Sequence, residues 1–454
     1  MAKRTDADAV QKETIRVSWL SKGAFTLSNM GTAFSWGFIT SYFMLFCTDA
    51  LGISAYVCSL LLLGSRLFDG VTDVACGVLL DRHETRWGRY RPWIAAFAIP
   101  VALATCLLFY CDAAWPQVVR IAWVSVAYLL YLLAFTGLNT SLCAMSSVMS
   151  GAPEERANVI SLQRAAGILG VLIMTTIAAA YFEQNGSSNT SSYFELAVLF
   201  GAISIPLYLL TPLFCKEQII PERPQKTQYR ASKVLRDNLS NEPFRIALMG
   251  HFLNGFVIYG RVSIFVYCFK YVAGSMALYA LFILVMRVAQ IVGSWAAQHL
   301  LRLFKMPGRA LVFLYVTYGL CLTITFFVAP SGATLMLWWV LVAVASFLFG
   351  ASNATIYIII PDLVDYCEYR NKTRNDGGVF TILEFGNKVG MALGTSGIGV
   401  ALGMLGYSAN MVQTPEVITG ISAWMFIVPG VLSALIGLLF IRYKLRRTVL
   451  HAND

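Results

Sequence analysis

The feature that most constrains this chain is a series of apolar segments long enough to cross a bilayer. They fall near residues 24–47, 55–80, 93–111, 119–149, 158–181, 193–214, 244–272, 275–300, 309–329, 334–361, 378–405 and 418–442. A hydrocarbon core about 30 Å thick takes roughly 20 apolar residues as an α-helix. Lipid offers no hydrogen-bond partners, so each backbone N–H and C=O in such a run must be satisfied within its own helix. The prediction is an all-α membrane protein with twelve transmembrane helices. Charged residues make up only 13% of the chain, where soluble domains carry about 25%.

The polar connections between spans alternate in charge. Basic residues gather in Lys3 to Lys22, Arg82 to Arg91, Arg156, Lys216 to Arg236, Arg302 to Arg309, Arg370 to Arg374 and Arg442 to Arg447. The intervening TDALGIS, FEQNGSSNTSS, APSGAT and GYSANMVQTPEV have no Lys or Arg, and CDAAWPQVVR has only Arg120. The positive-inside rule then puts both termini in the cytoplasm, in a multi-pass protein of the cytoplasmic (inner) membrane. Residues 1–23 are polar and mixed in charge, unlike a cleavable signal peptide, so the first span is expected to serve as the insertion signal. The polar run 215–243 has too few apolar positions to fold by itself and reads as a linker. The predicted organisation is an N-terminal segment 1–23, a six-helix half 24–214, the linker 215–243, a second six-helix half 244–442 and a tail 443–454. Two six-helix halves joined in this way match the layout of many secondary transporters.

The net charge of +10 lies mostly in these connections, so the lipid bilayer, not nucleic acid, is the expected partner, and no obligate protein partner is expected. Ten scattered cysteines without CxxC or Cys/His spacing read as small core residues. The sequence contains no nucleotide-binding loop and no HExxH or GxSxG signature, so ATP-driven transport and enzymatic activity are not expected. No cofactor is implied, and an ion gradient is the expected energy source.

Ionisable residues inside the spans are the candidates for function. A charge at the bilayer centre costs about 2.5–3.5 kcal/mol, so Arg66, Asp69 and Asp73 in one span would cost roughly 8 kcal/mol if unpaired and dry. Asp69 and Asp73 are spaced i,i+4 and share one helical face, with Arg66 one turn earlier. Two carboxylates this close favour a shared proton or a bound cation, with Thr72 or another hydroxyl completing an oxygen shell. The alternative is a structural Arg66–aspartate network locking two helices, and both can hold at once. Arg164, Arg261, Arg287, Thr136, Asn139 and Asn353 are further intramembrane polar groups, each suited equally to helix packing or to a ligand. Glu384 and Lys388 form another i,i+4 pair that either neutralises itself or contributes to a polar interior.

Two stretches resemble a known family. RLFDGVTDVACGVLLDRHETRWGRYRPWI (66–94) and PDLVDYCEYRNKTRNDGGVFTILEFGNKVGMALG (361–394) are similar to signatures of the glycoside/pentoside/hexuronide:cation symporters, the melibiose-permease group of the major facilitator superfamily. NMVQTPEVITGI (410–421) looks most like the bacterial glucuronide carriers of that group. The resemblance implies the major facilitator fold and symport of a sugar, glycoside or hexuronide with Na⁺ or H⁺. It places the cation at Asp69 and Asp73 with Thr72 and Thr136, and a sugar site at Arg164 and Lys388. It also implies that Arg156, Asp362, Asp365, Glu368 and Arg374 act as gating salt-bridge residues, not ligands.

The departures bear on the substrate. The family's Lys-Asp pair in span one is replaced by Thr32 and Ala33, an aspartate in span four by Asn139 and a tryptophan by Cys143, and GLNTSLCAM lacks the usual proline. Asparagine both donates and accepts and carries no charge. Losing acids while keeping Arg164, Lys388 and Arg261 suits an anionic solute, although Glu384 argues the other way. The expected solute contacts are therefore Arg164, Asn139, Lys388, Glu384, Asn353, Arg261 and Thr32. A carrier of a non-sugar solute and a non-transporting sensor are the alternatives.

Overall fold

The structure, a computed structural model, describes residues 17–82, 85–149, 153–218, 236, 238–304, 306–328, 332–371 and 376–443. The chain divides into two compact units, Met1–Lys226 and Thr227–Asp454. The first holds α1 (Trp19–Leu45), α2 (Ala55–Arg82), α3 (Arg91–Phe109), α4 (Gln117–Val148), α5 (Pro153–Asn185) and α6 (Thr190–Phe214). The second holds α7 (Glu242–Tyr267), α8 (Met276–Phe304), α9 (Pro307–Phe327), α10 (Leu335–Ile358), the short α11 (Ile360–Asn371), α12 (Asp376–Met404) and α13 (Pro415–Leu439).

Twelve spans were expected, and among the described residues ten meet both the length and the apolarity needed to cross a membrane. The two other long helices, α2 and α12, have 28 and 29 residues. Within α2 the stretch Ala55–Ser65 is apolar. Helix starts follow local chemistry. Ser18 caps α1 by accepting from the Ser21 N–H at 3.2 Å, and Asn189 does the same for α6 through Ser191. Prolines occupy the first turn of α3, α7, α9 and α13, where the missing N–H costs nothing. At the start of α3, the Glu217 carboxylate accepts the backbone N–H groups of Arg89, Tyr90 and Arg91 at 2.7–3.1 Å, tying the residues after α6 to that turn.

Each unit opens with the same device. Helix α1 runs into a π-helical turn, Phe46–Ala50, followed by Gly52 at φ 65°, and α7 runs into Cys268–Val272, followed by Gly274 at φ 68°. The closing hydrogen bonds also match: Ile53 N–H to Cys47 C=O at 2.9 Å and Ser275 N–H to Phe269 C=O at 3.1 Å. This reads as an internal repeat, the parallel-repeat construction of many secondary carriers.

In the first unit α1 packs against α5 and α6, α3 against α4 and α6, and α2 against α4. Aromatic rings fill much of that core, including Phe38–Phe109 with centroids 4.8 Å apart and Phe182–Tyr193 at 4.6 Å. In the second unit α7 packs on α12 and α13, α8 on α10, and α9 on α10 and α13. There the backbones themselves approach. A Cβ at Gly390 of α12 would lie 1.9 Å from the Phe252 carbonyl oxygen of α7, and one at Gly255 of α7 would lie 2.2 Å from the Asn387 carbonyl oxygen. Only glycine permits that spacing.

Candidate functional site

In the first unit α2 supplies the carboxylates and α4 the hydroxyl that meets one of them. Thr136, 3% exposed, donates its Oγ1 hydrogen to Asp69 Oδ1 at 3.0 Å. Thr72, also buried, donates to the Asp69 backbone carbonyl at 3.0 Å, which leaves its oxygen lone pairs available one turn along the same helix. Asp69, Thr72 and Thr136 are therefore brought together. Helix α2 continues unbroken through Arg66 and Asp73, whose side chains lie outside the described residues. The donor set consists of oxygens, the chemistry that suits a hard cation or a proton.

Helix α4 is seated by an aromatic stack beside this hydrogen bond. The Trp36 ring of α1 lies 4.8 Å from Phe135, which lies 5.5 Å from Tyr131, and the Tyr131 hydroxyl is 3.1 Å from Ser35 Oγ. Asn139, three residues beyond Thr136, is exposed and makes no hydrogen bond among the described residues.

A polar clasp joins α1 to α5. Asn29 Nδ2 donates to the Gln163 carbonyl at 2.8 Å, and Gln163 Nε2 returns a bond to Asn29 Oδ1 at 3.1 Å. Thr32 donates to the Asn29 carbonyl at 2.6 Å. The clasp fixes the turn that carries Arg164, which is exposed and has no ion pair or hydrogen bond among the described residues. Sequence reasoning missed Asn29 and Gln163, although an amide in each of two apolar spans was the available signal. About two turns nearer the starts of the same helices, Lys22 and Glu155 form a 2.7 Å salt bridge.

The second unit has a different interior. Asn254 of α7, 2% exposed, donates to Asn353 Oδ1 of α10 at 3.1 Å and accepts from the Tyr315 hydroxyl of α9 at 2.9 Å. This hub was also missed, because only Asn353 stood out in the sequence. Arg261, expected among the solute contacts, is 5% exposed and spent on packing: Nε donates to the Met425 carbonyl at 3.1 Å, Nη1 to Tyr318 at 3.0 Å, and its guanidinium lies 5.2 Å from the Phe265 ring centroid. Those contacts tie α7, α9 and α13 together.

Glu384 on α12 is half-buried and makes no ion pair among the described residues, so the i,i+4 neutralisation with Lys388 is not formed. Lys388 is exposed. Asp362, Asp365 and Glu368 lie half-buried on α11, which is anchored by Leu363, Val364 and Cys367 against Phe244, Val379 and Leu383. The side chain of Arg156, and Arg374 as a whole, fall outside the described residues.

A family model described as MFS/sugar transport protein matches residues 24–447. The isoprimeverose transporter of Lactiplantibacillus pentosus is 27% identical over 437 residues, covering 93% of this chain and 88% of its own. A putative glycoside/cation symporter of Escherichia coli (strain K12) is 30% identical over 431 residues, covering 93% and 91%. Among solved structures, the crystal structure of nucleoside transporter NupG aligns with a TM-score of 0.66 at 13% identity, covering 93% of this chain and 100% of that one, a likeness of fold. The chain belongs to the MFS/sugar transport protein family and is a multi-pass membrane transporter, not an enzyme.

Proposed function

We propose that the protein is a cation-coupled symporter that moves a glycoside or hexuronide across the cytoplasmic membrane by alternating access, with both termini in the cytoplasm. The observation that carries this reading is the hydrogen bond from Thr136 to Asp69, which joins α4 to the ionisable stretch of α2. A carboxylate inside a span is costly to insert and is retained where it faces a polar interior. Asp69 and Asp73 are the proposed seat of Na⁺ or H⁺, with hydroxyl oxygens from Thr72 and Thr136, and Arg66 holding α2 in place.

The open side chains of Arg164 and Asn139 are the proposed solute contacts of the first unit, with Thr32 supporting the clasp beside them. Glu384, Lys388 and Asn353 are those of the second. Asp362, Asp365 and Glu368, with Arg156 and Arg374, are the proposed gate. Coupling is a reciprocal free energy, so a cation that tightens solute binding is itself tightened by solute to the same factor.

The test is uptake into proteoliposomes of a panel of neutral glycosides and hexuronides under separately imposed Na⁺ and H⁺ gradients. The expected result is concentrative uptake of a member of the panel under one gradient and its loss when that gradient is collapsed. Uptake indifferent to both gradients would contradict the symport reading.

A further inference from the structure

Arg287 of α8 stands at the middle of the 22-residue apolar span Met276–Ala297. Its surroundings differ sharply from those of Arg261 in the same unit. Arg261 is held by a backbone carbonyl, a phenol and an aromatic face. Arg287 has one hydrogen bond, from Nη1 to Gln290 Oε1 at 3.2 Å on its own helix, and its Nε is buried without a partner. Its titratable neighbours are the phenols of Tyr279 and of Tyr259 on α7. Among the described residues no carboxylate lies within ion-pairing distance of it.

The edge of α8 that carries Arg287 is turned to protein. Two turns further along that edge, Ser294 donates to the Gly350 carbonyl of α10 at 3.1 Å, and a Cβ at neighbouring Gly293 would lie 2.0 Å from the Phe347 carbonyl oxygen. A guanidinium always carries its charge, offers five N–H donors in a planar fork and matches a carboxylate bidentately. Arg261 also lacks a counter-ion and keeps its Nη2 buried without a partner, but its other donors reach α9 and α13, whereas Arg287 bonds only within its own helix and so lacks a packing role of that kind. The interior charges of the second unit, Arg261, Arg287 and Lys388 against Glu384, also leave an excess of positive charge.

We propose that Arg287 is the anion-recognising contact of the carrier, engaging the carboxylate of a hexuronide or a comparable acidic group on a sugar. This rests on the transport reading above and narrows it to anionic solutes. Removing the guanidinium should penalise acidic solutes selectively, because a neutral sugar gains nothing from its charge.

The test compares an aryl glucuronide with the aryl glucoside of the same aglycone, in proteoliposomes of the full-length protein. Arg287→Gln is expected to raise KM for the glucuronide by about tenfold or more while leaving KM for the glucoside within about twofold. Arg287→Lys keeps the charge and loses the fork, so it should show a smaller selective rise, and it carries the test if the glutamine variant does not fold. Equal changes for both probes, or an unaltered glucuronide KM in the lysine and glutamine variants, would overturn the proposal and leave Arg287 a packing residue. A wild type that moves the glucoside and not the glucuronide would overturn it as well. A wild type that moves neither probe under either gradient would instead remove the transport reading on which it rests.

Discussion

The two units are built alike and furnished differently. Both open on a helix that ends in a π-helical turn and a left-handed glycine, yet the spans of the first set Asp69 and Asp73 beside Arg66 and Arg164, and those of the second set Arg261, Arg287 and Lys388 against Glu384. In the first unit the described carboxylate, Asp69, meets a hydroxyl from a neighbouring helix. In the second, Arg261 bridges three helices while Arg287 bonds only on its own, and each keeps one buried nitrogen without a partner. One architecture thus serves different charge balances, because helix packing in lipid depends on small residues and local polar clasps and leaves the interior charge to a few positions.

The means of packing differ too, and the largest expected effect comes from that contrast. Gly390→Ala places a methyl where the Phe252 backbone oxygen stands, a group that cannot move without its helix. It should destabilise the purified protein by about 3 kcal/mol in thermal unfolding. At Gly167 of α5 the nearest atom to an added Cβ is the Asn29 side-chain nitrogen at 3.1 Å. There the gain in helix propensity of about 1 kcal/mol offsets the crowding, so Gly167→Ala should change stability by less than about 1 kcal/mol. Equal losses at the two sites would break the contrast in packing.

The next effect sharpens the contrast in charge. Arg164 is a cation in the unit with the aspartates and is open, without a partner among the described residues. Arg164→Ala should weaken solute binding about tenfold with cation affinity unchanged, measured by titration of each ligand. A fall in cation affinity of the same size would reassign it to the aspartate cluster.

Smallest is Thr136→Val, which removes one hydrogen bond to Asp69 at constant shape. A loss of about 1 kcal/mol corresponds to roughly fivefold weaker cation binding, read from the cation dependence of uptake. No change would mean that the hydroxyl only packs α4 on α2.

Much of the fold was legible because bilayer thickness leaves a plain signature in hydropathy. The ends were less so. Helix α1 begins at Trp19, ahead of the apolar run at Ala24, because Ser18 caps it within the polar segment. The span expected over 334–361 ends at Ile358, and a separate α11 follows.

At the site, Asp69 and Thr72 were visible from one helix's spacing, whereas Thr136 stood out only as one of several intramembrane polar groups and was tied to the cation by family resemblance alone. The Asn29–Gln163 clasp and the Asn254 hub join residues 134 and 99 positions apart respectively, so no local periodicity reveals them. The i,i+4 spacing of Glu384 and Lys388 left open either mutual neutralisation or a polar interior, and the pair is not formed, since helical proximity permits pairing without requiring it.

The central claim is that Asp69 seats the coupling cation. The most direct measurement is solute affinity by calorimetry on the purified full-length protein, with and without Na⁺ and at two pH values, for wild type and Asp69→Asn. The account predicts that the coupling cation tightens solute binding to the wild type by about tenfold, while Asp69→Asn binds solute with an affinity indifferent to either cation. The same cation-dependent tightening in Asp69→Asn would contradict it.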